Sequence, residues 1–231
     1  MMAMGCRDDN DRPETITKLR ALGVSQSPTI AKAGDPVSLT FYLAGPSQLT
    51  LSATPILDLG ARYGQSIIVT PVDAAPTETA VGPLSIYSYK ANFNIPNDAI
   101  ITQKILTSGF ARVRYNVKFS STGGDEESVV GDTLVYPTGA PQLNWTTPTI
   151  AIANPAATAS AGTLDLEGAI QSNGQESNKV SWFVSAGKIK NRKARITEWQ
   201  EAPAGNQTLI FTVRGAKSGA FAIQSQAVNL N

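Results

Sequence analysis

The clearest pattern in the chain is a period of two between Phe110 and Phe119. Ala111, Val113, Tyr115, Val117 and Phe119 fall on one face, and Arg112, Arg114, Asn116 and Lys118 on the other. That alternation predicts a half-buried antiparallel strand. A slip of one residue would put the charges in the core, so the pattern also fixes the register. Turn residues Gly123-Gly124-Asp125 follow, and Ser128 to Tyr136 reads as the returning strand of a hairpin. Further strands are expected at Val37–Leu43, Leu49–Ala53, Ser66–Thr70, Leu84–Ile95, Leu164–Ile170, Val180–Ser185, Ala194–Trp199, Thr208–Val213 and Ala220–Val228. Ile16, Leu19 and Leu22 have helical spacing, but Gly23 and Pro28 close that window, and a first strand around Ala21–Ser25 fits better. Many short strands without a long helical pattern predict an all-β sandwich or barrel.

Tyr136 to Pro148 carries Pro137, Gly139, Pro141 and Trp145 among small polar residues, as a linker would. Residues 1–139 hold 11 basic and 13 acidic side chains, net −2; residues 140–231 hold 8 and 5, net +3. A weak repeat falls on the same division. Pro28, Ala33-Gly34, Val37 and Leu39 open the first part, and Pro155, Ala161-Gly162, Leu164 and Leu166 open the second. The expected organisation is a short disordered tether over residues 1–14, then one domain over 15–139 and another over 140–231.

The segments carry a resemblance. Trp182-x-Val184-x-x-Gly187, followed by Gly205-x-x-Thr208-Leu209-x-x-x-Val213, resembles PKD-type and related bacterial Ig-like modules. Ser27-Pro28-Thr29-Ile30-Ala31-Lys32-Ala33-Gly34-Asp35-Pro36-Val37-Ser38-Leu39-Thr40-Phe41 resembles the opening Ig-like module of bacterial envelope lipoproteins. The resemblance implies two tandem Ig-like antiparallel β-sandwiches. It places Trp182 in the core on the third strand of the second one, with Thr208–Gly215 as strand F and the next strand as G. The W-D-F-G-D pattern of many PKD modules is absent from the sequence.

Composition narrows the chemistry. Of 231 residues, 42% are hydrophobic and 16% charged, enough to bury a core. The net charge of +1 argues against bulk attraction to nucleic acid. No histidine is present, so neither Ser-His-Asp nor Cys-His catalysis can be built. With one cysteine and no histidine, a conventional zinc site and an intramolecular disulfide are both excluded. No cofactor motif occurs: there is no P-loop and no GxGxxG after a strand.

The single cysteine, Cys6, lies after Gly5 and before the charged stretch Arg7-Asp8-Asp9-Asn10-Asp11-Arg12-Pro13. A small residue, then Cys, then a polar tether resembles a bacterial lipoprotein cleavage site, in which the Cys carries the acyl chains. Five residues precede Cys6, fewer than the apolar stretch of about 7–15 in a signal peptide, so this reading expects the start upstream. The bland alternative is a free thiol on a loose terminus. Arg7, rather than Asp, after the Cys implies by the same resemblance an outer-membrane destination. No stretch reaches about 18 apolar residues, so attachment would be through lipid.

Charged clusters offer weaker candidates. Asp8, Asp9 and Asp11 lack the EF-hand spacing and read as a solvated tether. Asp125, Glu126 and Glu127 at a hairpin tip point apart and read as a soluble loop; Asp35, Asp58, Asp73 and Asp98 read as turn residues. Lys188, Lys190, Arg192, Lys193 and Arg195 form the densest basic run. On a strand, the first three would share a face that could meet an anionic partner; a charged edge that blocks aggregation is the plainer reading. The sequence therefore predicts a non-catalytic envelope lipoprotein, structural or protein-binding, held to the membrane by lipidated Cys6. A carbohydrate- or peptidoglycan-binding module is the alternative, although only 7% of residues are aromatic. A hydrolase built on carboxylates or a Ser-Lys pair is the third. Neither nucleic acid nor a cofactor is expected as a partner.

Overall fold

The computed structural model describes residues 14–46, 49–55, 70–71, 73, 75–172 and 176–231. Cys6, Asp58 and most of the Ser66–Thr70 strand expectation lie outside the described residues. The chain is all-β; the described residues include one α-helix of ten residues and a short 3-10 helix at Pro141–Asn144.

The first sandwich contains β1 (Arg20–Ser27), β2 (Pro36–Pro46), β3 (Leu51–Pro55), β4 (Thr70–Pro71), β5 (Thr77–Val81), β6 (Leu84–Asn94), α1 (Ala99–Ser108), β7 (Ala111–Ser121) and β8 (Glu126–Val135). One sheet runs β1-β2-β6, with β4 and β5 both on the far side of β6; the other runs β3-β7-β8. The second sandwich contains β9 (Thr149–Asn154), β10 (Thr158–Ala159), β11 (Gly162–Gln171), β12 (Asn178–Val184), β13 (Lys188–Ile189), β14 (Ile196–Ala202), β15 (Gly205–Gly215) and β16 (Phe221–Leu230). Its sheets run β13-β14-β11-β9 and β10-β16-β15-β12.

Both sandwiches follow the immunoglobulin order, strands A-B-E-D facing C-F-G. In each, the segment after strand A switches sheets and pairs in parallel with strand G: Ala31 with Val135 in the first, β10 with β16 in the second. Pro28 and Pro155, the repeated prolines of the sequence, sit at this switch.

Alternation builds each core. Val37, Leu39, Phe41 and Leu43 of β2, Tyr87, Tyr89, Ala91 and Phe93 of β6, and Val113, Tyr115, Val117 and Phe119 of β7 share one cluster. Opposite them on β7, Arg112 and Arg114 are exposed, while Lys118 is half-buried beside Glu126. The second core gathers Trp182, Val184, Trp199, Leu209, Phe211 and Val213. Trp182 is fully buried, its ring 4.3 Å from that of Phe211, and its indole N–H donates to the Ala194 carbonyl at 2.9 Å. That bond removes the cost of burying the polar end of the ring.

Several elements depart from the sequence reading. Asp98 starts α1 rather than closing a turn: its Oδ1 accepts the Ile101 N–H at 2.9 Å, and left-handed Gly109 ends the helix. Strands β5, β9 and β10 were not anticipated. The chain also makes contact before β1. The Ile16 N–H donates to Val184 O, and the Val184 N–H donates to Glu14 O, both at 2.9 Å, so residues 14–16 pair with the second sandwich.

Candidate functional site

A third apolar cluster lies between the sandwiches. Ala44, Leu84 and Ile86 project from the outer face of the first sandwich, and Phe183 and Ile210 from the outer face of the second, with Ile16 between them. Strand β15 is consequently buried on both faces over Gln207–Val213. The Phe221 ring lies against Gly23 of β1, where any side chain would collide with it. Thr208 Oγ1 donates to the Val81 carbonyl across the same junction.

Beside this sealed contact the two sandwiches part, leaving a cleft of about 610 Å³. Its first wall comes from β1 and β8 and includes Leu22, Val24, Val130 and Asp132; its second comes from β12 and β15 and includes Lys179, Ser181, Thr212 and Arg214, with Lys193 near by. Register sets the second wall. On the outer face of β12 and β15, Phe183 stands opposite Ile210, Ser181 opposite Thr212, and Lys179 opposite Arg214. One face thus runs from apolar through hydroxyl to cationic in three rungs.

Tyr115 reaches this cleft from the first core. Burial pushes its hydroxyl up to about 12, with nearby Arg214 opposing the rise and Asp132 adding to it. Asp132 is itself held by Arg114 Nε at 3.0 Å and by Arg112 at 3.7 Å. Glu176, at the rim, accepts from the Lys217 and Ser218 backbone N–H groups and the Ser218 hydroxyl. Among the described residues, no carboxylate lies within ion-pair distance of Lys179, Lys193 or Arg214.

The basic run of the sequence is dispersed. Only Lys188 lies on a strand, because β13 ends at Ile189 and the chain turns, so Lys188, Lys190 and Arg192 do not form one strand face. Lys188 pairs with Glu201 and Lys190 with Glu198, both at 2.7 Å, across the sheet to β14. Hydrogen bonds from Lys190 and Gln200 hold the Glu198 carboxyl below its ordinary value. Arg192 lines a separate depression beside Asp125 and Glu127; Lys193 faces the main cleft. Arg195 is exposed.

The hairpin-tip acids are more than a soluble loop. Asp125 accepts the Leu19 N–H at 3.1 Å, and Glu127 accepts the Ala21 N–H at 3.0 Å. Strand β1 is a sheet edge, so these carboxylates occupy N–H groups that would otherwise template another strand. Among the aromatics, Trp199 is buried and Trp145 half-buried beside Ser27, Ser38 and Thr40. Among the described residues, no group of three or more acids or cysteines is placed to hold a metal ion.

No family model matches the chain, and no curated protein matches it. Solved structures give matches at low identity. Fibronectin(III)-like modules of Clostridium thermocellum CbhA are 15% identical, cover 90% of this chain and 94% of theirs, and superpose with a TM-score of 0.35. InvD of Yersinia pseudotuberculosis is 11% identical over 90% of this chain and 57% of its own, with a TM-score of 0.23. The Bacteroides ovatus protein SGBP-B, from a mixed-linkage glucan utilization locus and solved with a mixed-linkage heptasaccharide, is 13% identical. It covers 88% of this chain and 43% of its own, with a TM-score of 0.20. The chain therefore spans about half the length of the last two.

Proposed function

We infer that the protein is a non-catalytic binding module of a bacterial envelope, held to the outer membrane through lipidated Cys6. Residues 1–14 serve as the tether, and residues 15–139 and 140–231 as two modules that act as one rigid body. The carrying observation is the buried apolar junction around Phe183 and Ile210. Domains joined by a linker move relative to each other by default, and a hydrophobic interface is what prevents it. The tether joins this body at the junction, because Glu14 and Ile16 pair with Val184. Seven residues separate Cys6 from Glu14, a reach of at most about 30 Å when extended.

A non-catalytic role is supported by where the acids are used. Asp125 and Glu127 accept backbone N–H groups, and Glu126, Glu198 and Glu201 pair with lysines. The experiment is expression of the full gene in its own host with labelled palmitate. The label should enter the protein, and Cys6→Ser should abolish labelling and move the protein to the soluble fraction. Membrane association without label, unchanged in Cys6→Ser, overturns the anchor.

A further inference from the structure

We propose that the cleft between the sandwiches receives a short extended acidic segment of a protein partner, in which acidic and apolar residues alternate. The proposal deepens the binding-module reading by naming its site and the chemistry of its partner.

The charge arrangement comes first. Lys179 and Arg214 stand directly opposite each other on neighbouring strands. Like charges in that relation destabilise a sheet. Nothing in the described fold offsets them: Asp132 is engaged by Arg112 and Arg114, and Glu176 by the Ser218 turn. Lys193 adds a third cation to the same cleft. A local rule broken without internal compensation is expected where a protein meets a ligand, and an anionic one satisfies these groups.

The backbone supplies the second argument. Trp182 donates its N–H outside the sheet to Arg192 O, and Val184 does so to Glu14 O. Alternate residues of a strand point the same way, so the N–H and C=O of Val180 also point off the edge of β12. Among the described residues they meet no partner, and Val180 lines the cleft. An added strand can pair there, as in recognition by β-augmentation.

The two faces of such a strand supply the third. A strand presents successive side chains to opposite faces. Paired to Val180, it would send one set to the outer face of β12, into the cleft beside Lys179 and Arg214, and the other to the inner face, beside the Val180 side chain of the second core. Acidic and apolar residues in alternation match both faces at once. A free anion would satisfy the cations but leave the Val180 edge unused.

The test uses the full chain and two fluorescein-labelled heptapeptides, one alternating Asp and Val, the other Lys and Val. Anisotropy titration should show saturable one-to-one binding of the Asp/Val peptide and none of the Lys/Val peptide. The Lys179→Glu/Lys193→Glu/Arg214→Glu variant should weaken binding at least tenfold. These exposed positions leave folding intact, which the melting curve checks. In the complex, amide exchange at Val180 should slow at least tenfold. Equal binding of both peptides, or no effect of charge reversal, overturns the proposal. So does a well-folded complex in which Val180 is unprotected, as does binding that appears only after Asp8, Asp9 and Asp11 are changed to Asn, since the chain's own acidic segment would then be the occupant. The titration needs no membrane, so its failure is distinct from a failure of Cys6 lipidation.

Discussion

The two ends of the face that the second sandwich turns toward the first behave differently, although the same two strands build both. At the Phe183–Ile210 rung the sandwiches close on each other; at the Lys179–Arg214 rung they stay apart. The backbone alternation is the same, so side-chain chemistry decides. Burying Phe and Ile against Leu84 and Ile86 releases water at about 25 cal/mol per Å². Sealing two unpaired cations would cost far more in lost hydration than such contact returns. One strand pair therefore provides both a structural junction and an open, charged cleft.

The largest effect contrasts the core with both ends. Trp182→Ala, which empties the second core, should cost about 3–5 kcal/mol, read as a lower denaturant midpoint. An unchanged midpoint would show that the second sandwich does not depend on that core.

Alkaline pH probes the open end. The unfolded Tyr115 hydroxyl ionises near 10, and the folded one at about 12. Because the folded value is higher, this contribution is whole below about pH 10 and lost as pH rises through about 12. It amounts to about 3 kcal/mol. Tyr115→Phe should therefore lose less stability than the parent between those pH values. Parallel curves for the two proteins would contradict burial as the cause. Tyr87 and Tyr89 are also raised by burial, so part of the slope should remain.

Gly23→Ala strikes the contact at the margin of the cleft, where the new methyl meets the Phe221 ring, the cross-strand neighbour of Arg214. Overpacking of this kind costs about 1–3 kcal/mol. It should also speed proteolysis between Tyr136 and Pro148 if the junction loosens; cleavage at the parent rate would show that the ring moves aside freely. The smallest effect has the opposite sign. Lys179→Gln removes half of a like-charge pair and should raise stability by a few tenths of a kcal/mol, seen as a slightly higher melting temperature. A lower one would mean that Lys179 is paired in solution.

The sandwiches were legible because their strands alternate: Val113, Tyr115 and Val117 are buried, and Arg112 and Arg114 face solvent, as the period requires. The junction was harder to read. Leu84 to Tyr87 and Thr208 to Val213 are buried on both faces, and a strand of that kind reads as a plain apolar run. The helix was missed because Ile101 is its one buried residue, although Asp98 and Gly109 marked both ends. The dispersal of the basic run was not legible, because it depends on the turn after Ile189 and on the strand register that brings Glu201 to Lys188 and Glu198 to Lys190. The cleft was invisible for the same reason: only pairing of β12 with β15 sets Lys179 against Arg214.

The central claim, that the apolar junction makes two sandwiches one rigid body, is tested most directly by a distance between them. Spin labels at Leu106→Cys on α1 and Ile196→Cys on β14, both exposed sites, report it in a Cys6→Ser background. The account predicts a single narrow distance distribution that broadens when Ile210→Asp places a charge in the junction. A distribution already broad in the presence of Ile210 would contradict it.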